Sequence, residues 1–259
     1  MKGKRTVSPV FFTLVMLFFY LPLIILIVFS FNRSKTMAWT GFSLHWYYEL
    51  FFHSRTLWNS FLNSVIVALS SATVSTAIGT LGAIGLYWYT FRFKKLLQIA
   101  GFLPLVLPEI IIGVSLLIFF AGLKLKLSLF TIFLAHTTFN IPFVLLLVMA
   151  RLEEFDFSII EAAHDLGARE IDTLLRVIVP LAFPGILSGF LMAVTLSLED
   201  FVITFFVAGP GSSTLPLHVY SMIRFGVSPV INALSVVVIA ATVLLALSTK
   251  NVLKYIIRK

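Results

Sequence analysis

Three carboxylic acids lie inside long apolar runs, where little but hydrocarbon side chains is expected. Glu109 follows Leu105-Val-Leu-Pro, and Glu199 and Asp200 stand together in Thr195-Leu-Ser-Leu-Glu-Asp-Phe-Val. A carboxylate at membrane depth costs at least about 2.5 kcal/mol on insertion scales, so it faces a protein interior or a water-filled path. The same runs hold no lysine or arginine. Neutralisation must then come from protonation or from a cation that the pathway carries. The competing reading is architectural: an acid pairs with a helix-end lysine or caps a broken helix. Pro104 and Pro108, just ahead of Glu109, can free backbone groups in that way. Neighbours on a helix point about 100° apart, so Glu199 and Asp200 are not expected to share one partner. Ser197 can hydrogen-bond beside the acid pair, and Trp46, Tyr47 and Tyr220 offer aromatic faces for an ammonium and its methylene stem.

Other chemistries find no support. Cysteine is absent, which removes disulfides, thiolate metal sites and cysteine catalysis. His45, His53, His136, His164 and His218 show no metal-ligand spacing and read as interfacial or loop histidines. No glycine-rich stretch is followed by Lys-Ser/Thr, and Gly209-Pro-Gly-Ser-Ser lacks the lysine of a phosphate loop. The chain is expected to bind no metal or cofactor, and any ATPase must be another chain. Without a His, Cys or Ser-Lys constellation, an intramembrane enzyme is not expected.

A second concentration of charge lies between Arg151 and Pro180, which hold seven of the eleven acids (Glu153, Glu154, Asp156, Glu161, Asp165, Glu170 and Asp172). Two short amphipathic helices are predicted here. Ile159, Ile160, Ala163 and Leu166 share the face of one; Ile171, Leu174, Leu175 and Ile178 follow the helical spacing of the other. Gly167 can supply the positive φ that ends the first, and Pro180 is expected to end the second. Ala162 and Ala163 keep the turn after Glu161 slim. An interfacial helix on lipid would carry a lysine-rich polar face. Seven acids against three arginines favour docking to a cytoplasmic partner instead.

These groups must be held by the surrounding chain. Of 259 residues, 59% are hydrophobic and 12% charged. Six stretches satisfy the roughly 20 apolar residues of a spanning helix: Pro9–Ser30, Trp58–Tyr89, Leu96–Ala121, Ser128–Ala150, Pro184–Ala208 and Pro229–Thr249. Hydrocarbon offers no partner to backbone amides, so each is predicted helical. The expected architecture is an all-α membrane protein, a single domain over residues 1–259. With both termini cytoplasmic, thirteen Lys and Arg fall inside and six outside, as the positive-inside rule requires. Most of the +8 charge follows from that topology and does not call for nucleic acid. Ser70, Ser71, Thr73, Ser75, Thr76, Gly79, Gly82 and Gly85 form a small-residue run suited to close helix packing.

Glu161-Ala162-Ala163, then Gly167, then Val177-Ile-Val-Pro180 resembles the EAA loop of the MetI-like permeases of type I ABC importers. That loop usually ends Ile-x-Leu-Pro, and valine replaces two aliphatic positions here. Tyr20-Leu-Pro-Leu, His45-Trp-Tyr, Leu86-Tyr87 to Arg92, His136 to Phe143, Leu215-Pro-Leu-His-Val-Tyr-Ser-Met and Gly226-Val-Ser-Pro extend the likeness over most of the chain, towards spermidine/putrescine permeases. The resemblance implies an ATPase dimer binding ATP and Mg, a second related permease, a soluble substrate-binding protein and a bacterial inner-membrane location. It implies coupling roles for Glu161, Ala162, Ala163, Gly167 and Pro180. It supports Trp46, Glu109, Ser197, Glu199 and Asp200 as pathway residues, with glutamate at 109 and 199 where aspartate is typical. Related permeases carry other solutes with the same loop, and an ATP-independent secondary transporter is the rival class.

Overall fold

A computed structural model describes residues 4–36, 38–154, 156, 158–225 and 229–257. Helices account for its regular structure: α1 Lys4–Ser30, α2 His45–Tyr48, α3 Arg55–Trp88, α4 Lys94–Phe102, α5 Glu109–Gly122, α6 Leu129–Leu152, α7 Ser158–Asp165, α8 Glu170–Thr173, α9 Val179–Glu199, α10 Val202–Val207, α11 Leu215–Phe225 and α12 Pro229–Ile257. The one β-contact among the described residues is an isolated bridge between Asn32 and Phe42. Among the described residues, four helices are long and apolar enough to cross a membrane, namely Pro9–Ser30, Arg55–Trp88, Leu129–Leu152 and Glu170–Glu199. Pro229–Leu244 is a shorter apolar helix, and Lys94–Leu105 with Glu109–Gly122 forms a bent pair.

Two of the expected continuous spans are interrupted. The stretch 96–121 turns through 109° between its two halves. Leu103–Leu105 tightens into a 3₁₀ turn, and Pro108 is extended at φ −57°, ψ 132°. Proline biases the residue before it away from helix and cannot donate to the preceding turn, so two prolines four apart break the ladder. The stretch 184–208 is broken near its far end, because Asp200 leaves the helix at ψ 123° before α10 begins.

Pro180 does not end the second helix of the charged segment. Helical backbone runs unbroken from Glu170 to Glu199, through a π-turn at Leu174–Ile178. The Val179 N–H reaches back five residues to the Leu174 carbonyl. A π-turn widens the coil just where the Pro180 ring would meet the carbonyl four residues back, so the helix accommodates Pro180 without ending. Pro184 therefore lies inside α9 and does not start it.

The chain divides into two compact units, Met1–Thr56 with Val219–Lys259, and Leu57–His218. In the smaller unit α1 and α2 both pack on α12. In the larger unit α6 and α9 lie against each other along small residues. Ala182, Gly185, Gly189 and Ala193 are buried on α9 at helical spacing. A Cβ on Gly185 would stand 2.6 Å from the Arg151 Cβ, and one on Gly189 3.1 Å from Val144. On α3, Ser71, Ser75 and Gly79 of the predicted small-residue run are buried, and a Cβ on Gly79 would stand 2.8 Å from Val144. Val144 and Val148 of α6 thus anchor a core with Ala72, Ala83, Leu145 and Ala182. Close approach of this kind replaces the hydrophobic drive that lipid cannot supply.

Candidate functional site

The breaks in the third and fifth apolar stretches bring their acids together. Glu109, Glu199 and Asp200 line one cavity of about 290 Å³ with Phe139, Leu196, Phe201 and Val202. Glu109 is the first residue of α5, directly after the N-cap Pro108. A helix N-terminus favours a negative charge, which helps to hold an acid at that depth. Glu199 ends α9. Neither glutamate forms an ion pair among the described residues, and both are exposed along the cavity. Two phenyl rings and two unengaged carboxyls suit a cation with an apolar stem.

Asp200 is engaged differently. It is 8% exposed, and Ile203 N donates to its Oδ1 at 3.1 Å while Thr204 N and Thr204 Oγ1 donate to its Oδ2, each at 2.8 Å. Asp200 therefore satisfies two of the free N–H groups at the start of α10 from one residue ahead of the N-cap Phe201. His136 of α6, 1% exposed, closes the arrangement with Nε2 3.1 Å from Asp200 Oδ2 and 2.9 Å from Thr204 Oγ1. Its Nδ1 lies 2.6 Å from Ser197 Oγ, and Ser71 Oγ donates to Ser197 Oγ at 3.4 Å. An ionised Asp200 has no proton to offer, so Nε2 carries one; on a neutral ring Nδ1 then accepts from the Ser197 hydroxyl.

His136 thus corrects two readings of the sequence. It is neither interfacial nor in a loop, and it gives Asp200 a buried hydrogen-bond partner where no lysine or arginine is available. It also completes a serine–histidine–aspartate line that the sequence did not disclose. Ser197 is itself 4% exposed and no chain of this kind acts without a substrate at its hydroxyl, so the line reads as structural. A signal for it exists in the sequence: Ser197, Asp200 and Thr204 share the i, i+3, i+7 spacing of one helix face within an apolar run.

Trp46 and Tyr220 belong to the smaller unit. Trp46 is buried, and its indole N–H donates to the Asn32 carbonyl at 2.7 Å. Asn32 in turn ties the loop after α1, donating to the Ala38 carbonyl and accepting from Thr40 N. Tyr220 lies on α11 and is exposed.

In the charged segment, α7 ends in a Schellman turn. Gly167 N donates to His164 O at 2.8 Å and Ala168 N to Ala163 O at 3.0 Å, with Gly167 at φ 82°. The spacing from Ala163 to Gly167 is that of the closing residue and its left-handed glycine. Asp156 starts the segment, its Oδ1 accepting from Ser158 N at 3.0 Å. That backbone bond, with the Ser158 hydroxyl, holds its carboxyl below the usual carboxylate range. The predicted apolar faces divide. Ile160 and Ile178 are buried, whereas Ile159, Ile171 and Leu175 are exposed and Leu166 is 89% exposed. Glu161 and Ala162 are exposed beside them.

Apolar helices interrupted at depth, with acids gathered at the interruptions, are the architecture of a multi-pass membrane permease. The chain belongs to the binding-protein-dependent transport system inner membrane components, whose family profile matches residues 75–259. It is 39% identical over 241 residues to the spermidine/putrescine transport system permease protein PotC of Escherichia coli strain K12, covering 93% of this chain and 91% of that one. It is also 39% identical to the putrescine transport system permease protein PotI of the same strain, over 86% and 82% of the two chains. Its fold matches a bacterial ABC transporter involved in the import of the acidic polysaccharide alginate, with a TM-score of 0.74, 17% identity, and coverage of 97% and 98%.

Proposed function

We propose that this chain is one of two permease subunits of an ABC importer for polyamines, moving spermidine or putrescine inward on ATP hydrolysis by a partner ATPase dimer. The observation that carries the cargo is the cavity shared by Glu109 and Glu199 at two helix breaks. Its carboxyls oppose anions and give neutral sugars no advantage, while methylenes between ammonium groups suit Phe139 and Phe201. The names of the PotC and PotI relatives point the same way.

The membrane topology in this reading has six spans and both termini cytoplasmic, the bent pair counting as the third and α12 as the sixth. The outer segments receive a soluble binding protein, and a PotB-like second permease forms the other half of the pathway. Residues 151–180 seat in the ATPase, with Glu161, Ala162 and Ala163 on the docking turn, Gly167 closing it and Pro180 entering the spanning helix. Exposed Ile159, Leu166, Ile171 and Leu175 support docking, since no part of the described chain covers them. Because the helix is continuous from Glu170 to Glu199, movement at the docking turn is carried along one rod to the cavity. Glu109 and Glu199 face cargo, Tyr220 contributes from the outer segments, and Ser197 and Asp200 hold the break in shape. Trp46 is assigned to loop structure because its N–H is already engaged.

The test is ATP-dependent uptake of labelled spermidine and putrescine by the chain reconstituted with its ATPase, second permease and binding protein. Uptake of either amine supports the cargo. Failure with both, alongside ATP-driven uptake of another solute, refutes the cargo and keeps the machine.

A further inference from the structure

A separate cavity of about 360 Å³ lies in the larger unit, where the end of α3 meets the start of α8. Its wall combines Trp88 and Tyr89 with His164, Glu170 and Thr173, above Ile178. Thr173 is 2% exposed, yet its hydroxyl has no hydrogen-bond partner among the described residues. Buried polar groups are nearly always paired, so an unpaired hydroxyl in a cavity wall marks a place for a ligand atom. Asp172 is taken by Arg176 at 3.5 Å, and Glu170 forms no ion pair among the described residues.

The wall carries the rings of Trp88, Tyr89 and His164, the single carboxyl of Glu170 and the hydroxyls of Tyr89 and Thr173, and no lysine or arginine. A single carboxyl repels anions and falls short of the six or so oxygens a calcium ion takes. Aromatic faces with one acid are the recognition set for an organic ammonium, whose N–H groups can also donate to the Thr173 hydroxyl. We propose that this cavity is a second organic-ammonium site, distinct from the transport pathway, which holds an alkylammonium between α3 and the start of the α8–α9 rod. An occupant joins two elements whose relative movement drives the pathway, so filling the site slows transport. That the natural occupant is delivered cargo, acting from the cytoplasmic side, rests on the polyamine reading above.

The experiment uses the complete transporter in vesicles with ATP inside, and binding protein with labelled spermidine outside. Initial uptake is compared with the lumen empty or preloaded with unlabelled spermidine, each protein normalised to its own empty-lumen rate. The half-inhibitory concentration is expected to rise about tenfold in Glu170→Gln and about fivefold in Trp88→Leu. Thr173→Val keeps the side-chain shape and charge while removing the acceptor, and should shift it in the same direction. Equal inhibition in all four proteins overturns the site. Labelled spermidine is also titrated at equilibrium onto the nanodisc-held complex, which reads the site without transport. A binding component lost in Glu170→Gln and Trp88→Leu but kept in Glu199→Gln supports the proposal, and its absence overturns it. Lack of spermidine uptake with that component present refutes only the cargo reading.

Discussion

His136→Leu removes the hub of the buried network at the fifth-stretch break. Asp200 keeps three donors, the N–H groups of Ile203 and Thr204 and the Thr204 hydroxyl, so its carboxyl is not stranded. Ser197 keeps only the long contact to Ser71. A bond to a charged group contributes about 1.5–3 kcal/mol in water-soluble proteins. Interhelical bonds in a membrane average about 0.6 and reach about 1.7 kcal/mol. Loss of the His136 contacts to Ser197, Asp200 and Thr204 should therefore cost about 2 kcal/mol. At about 2–4 °C per kcal/mol for a chain of this size, the thermal midpoint should fall by about 4–8 °C. Asp200→Asn has its own cost, because both carboxyl oxygens accept backbone N–H groups and an amide must turn its NH₂ towards one of them. The double variant should cost less than the sum by about 1 kcal/mol, since the His136–Asp200 bond can be lost only once. Thermal unfolding of the four purified proteins in one detergent measures this. Strict additivity, or a His136→Leu midpoint equal to the wild type, would refute the bonded unit.

Gly185→Val should separate α6 from α9, because even a Cβ there meets the Arg151 Cβ, and should cost about 1–3 kcal/mol in thermal unfolding. Gly167→Ala forces a left-handed conformation on a residue with a Cβ, at about 1 kcal/mol, with open space around it. The strain therefore acts on the turn, and uptake should fall while the protein still inserts; unchanged uptake would remove the coupling role. The absence of native cysteine makes Val202→Cys a clean reporter in the cavity wall. A cationic thiol reagent should modify it, and spermidine should slow the modification; labelling indifferent to spermidine would place the cargo elsewhere.

Much of this was readable before the structure because the physics is local. Two prolines four apart announce a break ahead of Glu109, and Gly167 four residues after Ala163 announces a left-handed helix end. Gatherings across the fold were not readable. His136 and Asp200 are 64 residues apart, and a histidine in an apolar run carries no mark of the carboxyl it will meet. The continuity of α8 into α9 was hidden for another reason. Proline ordinarily stops a helix, and the π-turn that lets Pro180 continue this one has no signature in residue type. The small residues of α3 were visible as a run, whereas Ala182, Gly185, Gly189 and Ala193 on α9 are diluted by large apolar neighbours.

The central claim is that Glu109 and Glu199 face a cationic cargo while Asp200 serves the fold. ATP-dependent spermidine uptake by the reconstituted importer, compared between wild type and the Glu109→Gln/Glu199→Gln double variant, tests it most directly. The account predicts that the double variant assembles with its ATPase, unfolds at the wild-type temperature and loses at least about tenfold in uptake. Wild-type uptake in that protein would contradict the claim and leave these acids without a part in transport.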